Sequence, residues 1–159
     1  MVLHGKICSL RSVGSQDIDT ILLWENDPQV RRAGTPEKER FTRSDIEQFV
    51  RNQSHPLSET EQQRLMIEVG GRTVGAIDLY ECDGTSAGVG ILVHAPADRQ
   101  RGYATDALRT LIAYARSLHL SLLRADVAPD NTPSLRLFAR AGFVRATESA
   151  DKIGFIYIL

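Results

Sequence analysis

The residues best suited to chemistry form one stretch, Arg99-Gln100-Arg101-Gly102-Tyr103-Ala104-Thr105. It follows an apolar run at 89–93 and opens an amphipathic segment that ends near His119. A strand, a short glycine-containing loop and a helix, in that order, leave unpaired backbone N–H groups at the helix N-terminus. Those groups and the positive end of the helix dipole make an anion site. Gly102 lets a ligand approach the backbone and permits a positive φ. Ala104 keeps the next position small, and Arg99 and Arg101 add positive charge. A pyrophosphate fits such a loop. The stretch is neither the three-glycine dinucleotide fingerprint nor a Gly-Lys-Ser/Thr phosphate loop. Taken alone, it also reads as an ordinary strand-to-helix turn.

A second motif follows at a fixed distance: Asn131-Thr132-Pro133-Ser134-Leu135-Arg136-Leu137-Phe138, and then Gly142-Phe143. With both motifs in this order, the chain resembles the GNAT superfamily of acyl-CoA N-acyltransferases. The pyrophosphate-loop pattern of that superfamily, Gln/Arg-x-x-Gly-x-Gly/Ala, is matched by Arg99, Gly102 and Ala104. Its second signature is matched by Asn131, Ser134, Leu137-Phe138 and Gly142-Phe143. The resemblance is clearest over residues 64–148. Nearer the N-terminus it rests on Leu10-Arg11, the acidic helix after them and Trp24-Glu25-Asn26-Asp27-Pro28. That pattern is similar to the branch holding ribosomal-protein N-terminal acetyltransferases and spermidine acetyltransferases.

The resemblance implies an α+β GNAT fold, one domain over residues 1–159. Its mostly antiparallel sheet carries a splayed parallel pair and is flanked by helices. It implies acetyl-CoA as cosubstrate and no metal. The pantetheine arm would enter the splayed gap and pair with the Leu92 and Val93 backbone, satisfying polar groups that separated strands leave open. The diphosphate would rest on the N–H groups of Gln100, Arg101, Gly102, Tyr103, Ala104 and Thr105, beside Arg99. Asn131 would bond the pantetheine, although it also reads as a plain helix N-cap. Ser134 and Phe138 would line the cofactor, with Phe138 beside the thioester.

The implied reaction is direct attack of a neutral amine on the acetyl thioester, with the Val93 N–H as oxyanion donor. Two features depart from the family pattern. Phe138 stands where many relatives carry a tyrosine that protonates the leaving thiolate, and it has no O–H. Ala87-Gly88-Val89 offers no carboxylate where a base is common. Three accounts stay open. Proton transfer runs through water and backbone; a substitute comes from Asp78, Tyr80, Glu81 or His94; or the protein senses acetyl-CoA without turnover. Tyr80 and Asp78 are the favoured catalytic substitutes, sharing one face of a strand by alternation. On the acceptor side lie Trp24, Glu25, Asn26 and Asp27, then Glu37 and Glu39. Together with Tyr80, the first three are the substrate-binding candidates: carboxylates attract an ammonium, and an aromatic adds a cation–π contact. A polyamine, an aminoglycoside or a peptide N-terminus suits them. The plain alternative is that Trp24 is core and the acids are solvated surface. A nucleotide-binding domain of another family is a third, weaker reading.

These residues need a scaffold, and the composition allows one. The chain has 159 residues, with 42% hydrophobic and 25% charged, enough for one domain with a proper core. Its net charge of −1 gives no basic field for nucleic acid. Cys8 and Cys82 make no disulfide framework and suit a reduced, cytoplasmic setting. No apolar run approaches a membrane span of about 20 residues, and the first residues lack a signal-peptide core.

The pattern predicts a first strand at 6–11 and a helix starting at Ser15-Gln16-Asp17 and stopping at Asp27-Pro28. It predicts a loop over 31–41 and a second helix capped by Ser44. A polar loop at 53–62 follows. Two β-rich runs flank Gly70-Gly71 as a hairpin. Strands at 89–93 and 122–127 would be the parallel pair, joined by the long helix in a right-handed crossover. A short helix at 133–140 ends at Gly142. The closing strand, 153–159, would offer an edge for pairing in a homodimer.

Overall fold

Gly70 and Gly71 adopt φ values of 57° and 77°, the left-handed pair a two-residue hairpin turn demands. They join β3 (Gln63–Val69) to β4 (Arg72–Tyr80). This hairpin lies in a sheet seen in the computed structural model of the chain, which describes residues 1–33 and 40–159. Among the described residues the sheet has eight strands in the order β1-β2-β3-β4-β5-β6-β8-β7. The others are β1 (Val2–His4), β2 (Ser9–Ser12), β5 (Ser86–Val93), β6 (Leu122–Val127), β7 (Val144–Glu148) and β8 (Ile153–Ile158). Every neighbouring pair is antiparallel except β5 and β6.

The parallel pair is short. Ser86, Ala87 and Gly88 pair with Leu122, Leu123 and Arg124. Beyond Gly88, β5 runs on to Val93 and β6 to Val127 without further pairing to each other. The sheet therefore opens along its middle. Helix α5 (Tyr103–Ser117) makes the crossover between them.

The two faces of the sheet are covered differently. On one, Leu65, Ile67, Ile77, Leu79, Val89, Leu123, Ala125 and Phe155 pack with Ala107, Leu108, Leu111 and Ala115 of α5. Phe138 of α6 (Thr132–Ala141) joins the same core. On the other face, Met66 and Ala76 meet Ile21 and Trp24 of α1 (Ile18–Glu25) and Ile46 of α3 (Arg43–Asn52). This second cluster covers the β3–β4 part of the sheet. Past it, at Gly88 and Gly90, β5 presents no side chain.

Local structure departs from the sequence expectations at several points. The strand expected at 6–11 begins only at Ser9, as β2; residues 5–8 form a turn, with the Gly5 N–H given to Cys8 O at 2.8 Å, and the unexpected β1 precedes it. The Asp106 carboxylate accepts the N–H groups of Lys6, Ile7 and Cys8 at 3.0, 2.9 and 2.9 Å, so those amides leave the ladder. The second helix is capped by Thr42, not Ser44. Thr42 Oγ1 accepts from the Asp45 N–H at 3.2 Å, and the Asp45 carboxylate accepts from the Thr42 N–H at 2.7 Å, a reciprocal capping box. Pro28 does not stop helical structure but opens α2 (Pro28–Ala33), where a missing N–H costs nothing. The rest of the loop expected at 31–41, with Glu37 and Glu39, lies largely outside the described residues. A single helical turn, α4 (Leu57–Thr60), interrupts the polar stretch at 53–62. The closing strand is not an edge: β8 is paired on both sides, to β6 and β7, and β7 is the edge instead.

Candidate active site

The gap between β5 and β6 has polar walls by construction. The His94 N–H is given to Val74 O on β4 at 3.0 Å. Amides alternate along a strand, so the Val93 N–H and C=O point the opposite way, into the gap. By the same alternation Ile91 faces the gap and Leu92 faces β4. The close approach of Leu92 O to Gly75 agrees: a Cβ on Gly75 would sit 1.9 Å from that oxygen. This corrects the expectation for Leu92, whose backbone is committed to the sheet. Its side chain packs on the α1–α3 cluster.

At the open end of the gap, the loop between β5 and α5 turns through left-handed residues, Gln100 at φ 60° and Gly102 at φ 82°. Gly102 starts α5, and Asp106 N–H is the first to return to it, at 3.0 Å. The N–H groups of Tyr103, Ala104 and Thr105 therefore have no intrahelical acceptor. Asp98 ties the loop down from behind: Arg72 gives it two hydrogen bonds, each 2.8 Å. That guanidinium holds the Asp98 carboxyl below the usual carboxylate range.

The two loop arginines do not point at the amides. Arg101 Nε donates to Ala97 O at 2.7 Å. Arg99 folds back onto β5, donating to Val93 O at 3.2 Å and His94 O at 2.9 Å. Arg99 thus occupies a gap-facing carbonyl, a place that its motif position does not suggest. Asn131 caps α6, accepting from the Ser134 N–H at 3.4 Å, which leaves its amide NH2 available. Phe138 is buried, its ring 5.0 Å from Phe143 and 6.1 Å from Phe155. It belongs to the core rather than to the wall of the gap.

On the face that α1 and α3 cover in part, the side chains of alternate residues share one surface. Tyr80 stands opposite Gly88, and Asp78 opposite Gly90. Across the start of the gap come Arg124, level with Gly88, and then Asp126. The Tyr80 ring lies flat over Gly88: a Cβ there would sit 2.4 Å from two ring carbons. Burial raises the Tyr80 hydroxyl above its ordinary pKa, as do the Asp126 and Glu81 carboxylates, against a lowering by Arg124. Tyr80 therefore keeps its proton at neutral pH and can donate it.

Asp78 shares the face with Tyr80, but its carboxylate is held by Arg64 through two 2.8 Å hydrogen bonds. Arg64 also reaches Glu25 at 2.9 Å and lies over the Phe49 ring. Glu25 and Asp78 are therefore joined through one guanidinium. Asn26 is occupied as well, exchanging two 2.9 Å hydrogen bonds with the Phe41 backbone. Trp24 is buried and stacks on His94 at 5.3 Å. His94 Nε2 lies 2.8 Å from Asp27 Oδ2, while Asp27 Oδ1 accepts from the Gln29 N–H at the start of α2. Those two bonds, the Gln29 one first, hold the Asp27 carboxyl below its usual range. The structure thus brings Tyr80 and Asp78 together, places Val93 further along β5, roughly 10 Å beyond Asp78 and roughly 16 Å beyond Tyr80, and assigns Trp24, Glu25 and Asn26 to contacts within the protein.

Asp126 was missed. The signal was there: Leu123, Ala125 and Val127 alternate as buried residues, so Asp126 points outward. Arg64 and Arg72 were not visible as partners, because their ion pairs depend on strand register. Among the described residues no group of three side chains suits a metal ion, and no helix is long and apolar enough to cross a membrane.

Comparison with known proteins agrees with this architecture. The model of the acetyltransferase (GNAT) domain family matches residues 8–144. An N-acetyltransferase 9-like protein from Nematostella vectensis is 38% identical over 64 residues, 40% of this chain; the match spans about a third of that relative's length (32%). The spermidine N-acetyltransferase of Vibrio cholerae, solved with CoA and spermine, superposes with a TM-score of 0.81 at 18% identity, covering 95% of each chain. A ribosomal-protein α-N-acetyltransferase in complex with coenzyme A reaches 0.84 at 14% identity, covering 100% of this chain and 98% of that one. AAC(6')-Ib in complex with ribostamycin and coenzyme A reaches 0.78 at 19% identity, covering 96% and 94%. At these identities the three structures speak for the fold, and the family match speaks for the chemistry: the chain belongs to the GNAT family of acetyltransferases.

Proposed function

We propose that this protein transfers the acetyl group of acetyl-CoA to a primary amine carried by a cationic acceptor. The observation that carries this is the opened β5–β6 pair, with the Val93 N–H facing the gap and the free amides of α5 at its mouth. The pantetheine amides complete the polar edges of the gap, and the diphosphate meets Tyr103, Ala104 and Thr105 N–H. The thioester oxygen then lies at the Ile91 N–H, which faces the gap beside Gly90 within reach of Tyr80 and stabilises the developing negative charge, while the Val93 N–H pairs with the pantetheine arm.

The acceptor enters over Gly90, beside the Tyr80 ring that covers Gly88. Asp78, Asp126 and Glu81 offer carboxylates to an ammonium there, each alongside a cation of its own, Arg64, Lys152 and Arg124. The solved relatives bound to spermine and ribostamycin support this class. Tyr80 donates its proton to the departing thiolate, taking the part that Phe138 cannot. Polyamine, aminoglycoside and peptide N-terminus remain the acceptor candidates.

Calorimetric titration with acetyl-CoA, followed by thiol release over spermidine, an aminoglycoside and short peptides, tests the reading. The expected result is binding plus turnover of one amine class. Binding without turnover of any amine favours an acetyl-CoA sensor. No binding removes the assignment of the loop and the gap.

A further inference from the structure

The family pattern leads one to look for a carboxylate on β5, and this chain has glycine at 88 and 90 on the relevant face. The structure supplies two carboxylates beside that vacancy, from the strands on either side. Asp78 on β4 is locked in a bidentate pair with Arg64, which is itself held by Glu25. Each of its oxygens accepts from this half-buried guanidinium. Asp126 on β6 is different. It lies two residues past Arg124, the last residue paired to β5, so it borders the gap where the strands part. Its polar partner is Lys152 at 3.4 Å, and the two side chains are 59% and 49% exposed, lysine first. It shares its face with Tyr80, and its charge adds to burial in raising the Tyr80 hydroxyl.

Resting on the acetyltransferase reading, we infer that Asp126 is the proton acceptor for the amine, a base displaced from β5 to the far side of the gap. The acceptor ammonium first gives one proton to solvent. Its nitrogen lone pair then forms the N–C bond to the thioester carbonyl, and the nitrogen becomes acidic as it gains positive charge. Asp126 takes that second proton. The C–S bond breaks, the sulfur leaves as thiolate with the bonding pair, and Tyr80 protonates it. Tyr80 recovers its proton from Asp126, directly or through water. The products are the acetamide, CoA thiol and one proton in solution. The titratable and charged groups sharing this surface are Tyr80, Asp78 and Glu81 from β4 and its end, Arg124 on β6 itself and Lys152 from the turn between β7 and β8.

The test is Asp126→Asn, a conservative change at an exposed position, measured against Lys152→Ala. With the amine turned over by the wild type, Asp126→Asn lowers kcat by roughly 100-fold. Acetyl-CoA affinity by calorimetry stays at the wild-type value, and the acid limb of the kcat profile loses one ionising group. Asp126→Glu recovers part of the rate, and Lys152→Ala leaves it intact. If Asp126→Asn keeps its kcat within about threefold of wild type, or if Lys152→Ala falls as far as Asp126→Asn, the assignment is overturned. Absence of wild-type turnover on every amine overturns the enzyme reading instead, so the two failures are separate.

Discussion

Gly88 sets the position of Tyr80. The ring rests on the bare backbone of β5, and any Cβ at 88 displaces it. Because the obstacle is the far end of a side chain and not backbone, the ring can swing aside. Gly88→Ala is expected to change stability by less than about 1 kcal/mol. Turnover should still fall roughly 10- to 100-fold, since Tyr80, the proposed proton donor, moves by about an ångström. Thermal melting and thiol-release kinetics on the same sample check both halves. Gly75 differs, since there a methyl group meets the Leu92 carbonyl itself. At this scale the sequence was partly legible. Tyr80 and Asp78 were correctly placed on one face by alternation, whereas the guanidinium that occupies Asp78 comes from Arg64, and only the β3–β4 register reveals it. Asn26 and Trp24 looked available for a substrate because their partners, the Phe41 backbone and the His94 ring, are distant in sequence.

Elements that are fixed by local rules were legible, and those fixed by distant partners were not. The Gly70-Gly71 hairpin, the α5 stripe and the Asn131 cap follow from turn, period and capping chemistry. The turn that takes residues 6–8 out of the expected first strand depends on Asp106, about a hundred residues away, and no local pattern announces it. The loop before α5 has the same character: its shape rests on Arg72 and Asp98 as much as on Gly102. Arg72→Ala is expected to leave kcat near wild type while raising the acetyl-CoA KM by about fivefold, because the loop amides lose their rear anchor. Initial rates at saturating amine measure this. An equal loss in kcat would mean that the anchor serves the chemical step instead.

For the molecule as a whole, Asp106 joins the N-terminal turn to the first turn of α5. Burial works against its charge, but three N–H donors, from Cys8, Ile7 and Lys6, more than compensate and leave its pKa lowered. The same carboxylate, together with burial, pushes the Cys8 thiol up to about 12, so Cys8 stays a neutral donor. A carboxyl with a lowered folded-state pKa stabilises the fold above its unfolded value and loses that contribution as pH falls through the folded one. Asp106→Asn is therefore expected to cost about 1–3 kcal/mol at pH 7. It should also show a shallower loss of stability than wild type below about pH 4. Denaturant unfolding at several pH values reads this out; parallel acid limbs would contradict it. The other long-range joint is weaker. Among the described residues, β1–β5 and β6–β8 are two half-sheets joined by three residue pairs, the helix between them and the core beneath that helix. On the proposed reading, acetyl-CoA in the opening acts as a missing strand, so the seam is closed by something the chain does not encode. Folding and saturation then become one equilibrium: the population of intact protein rises and falls with the supply of the molecule it consumes.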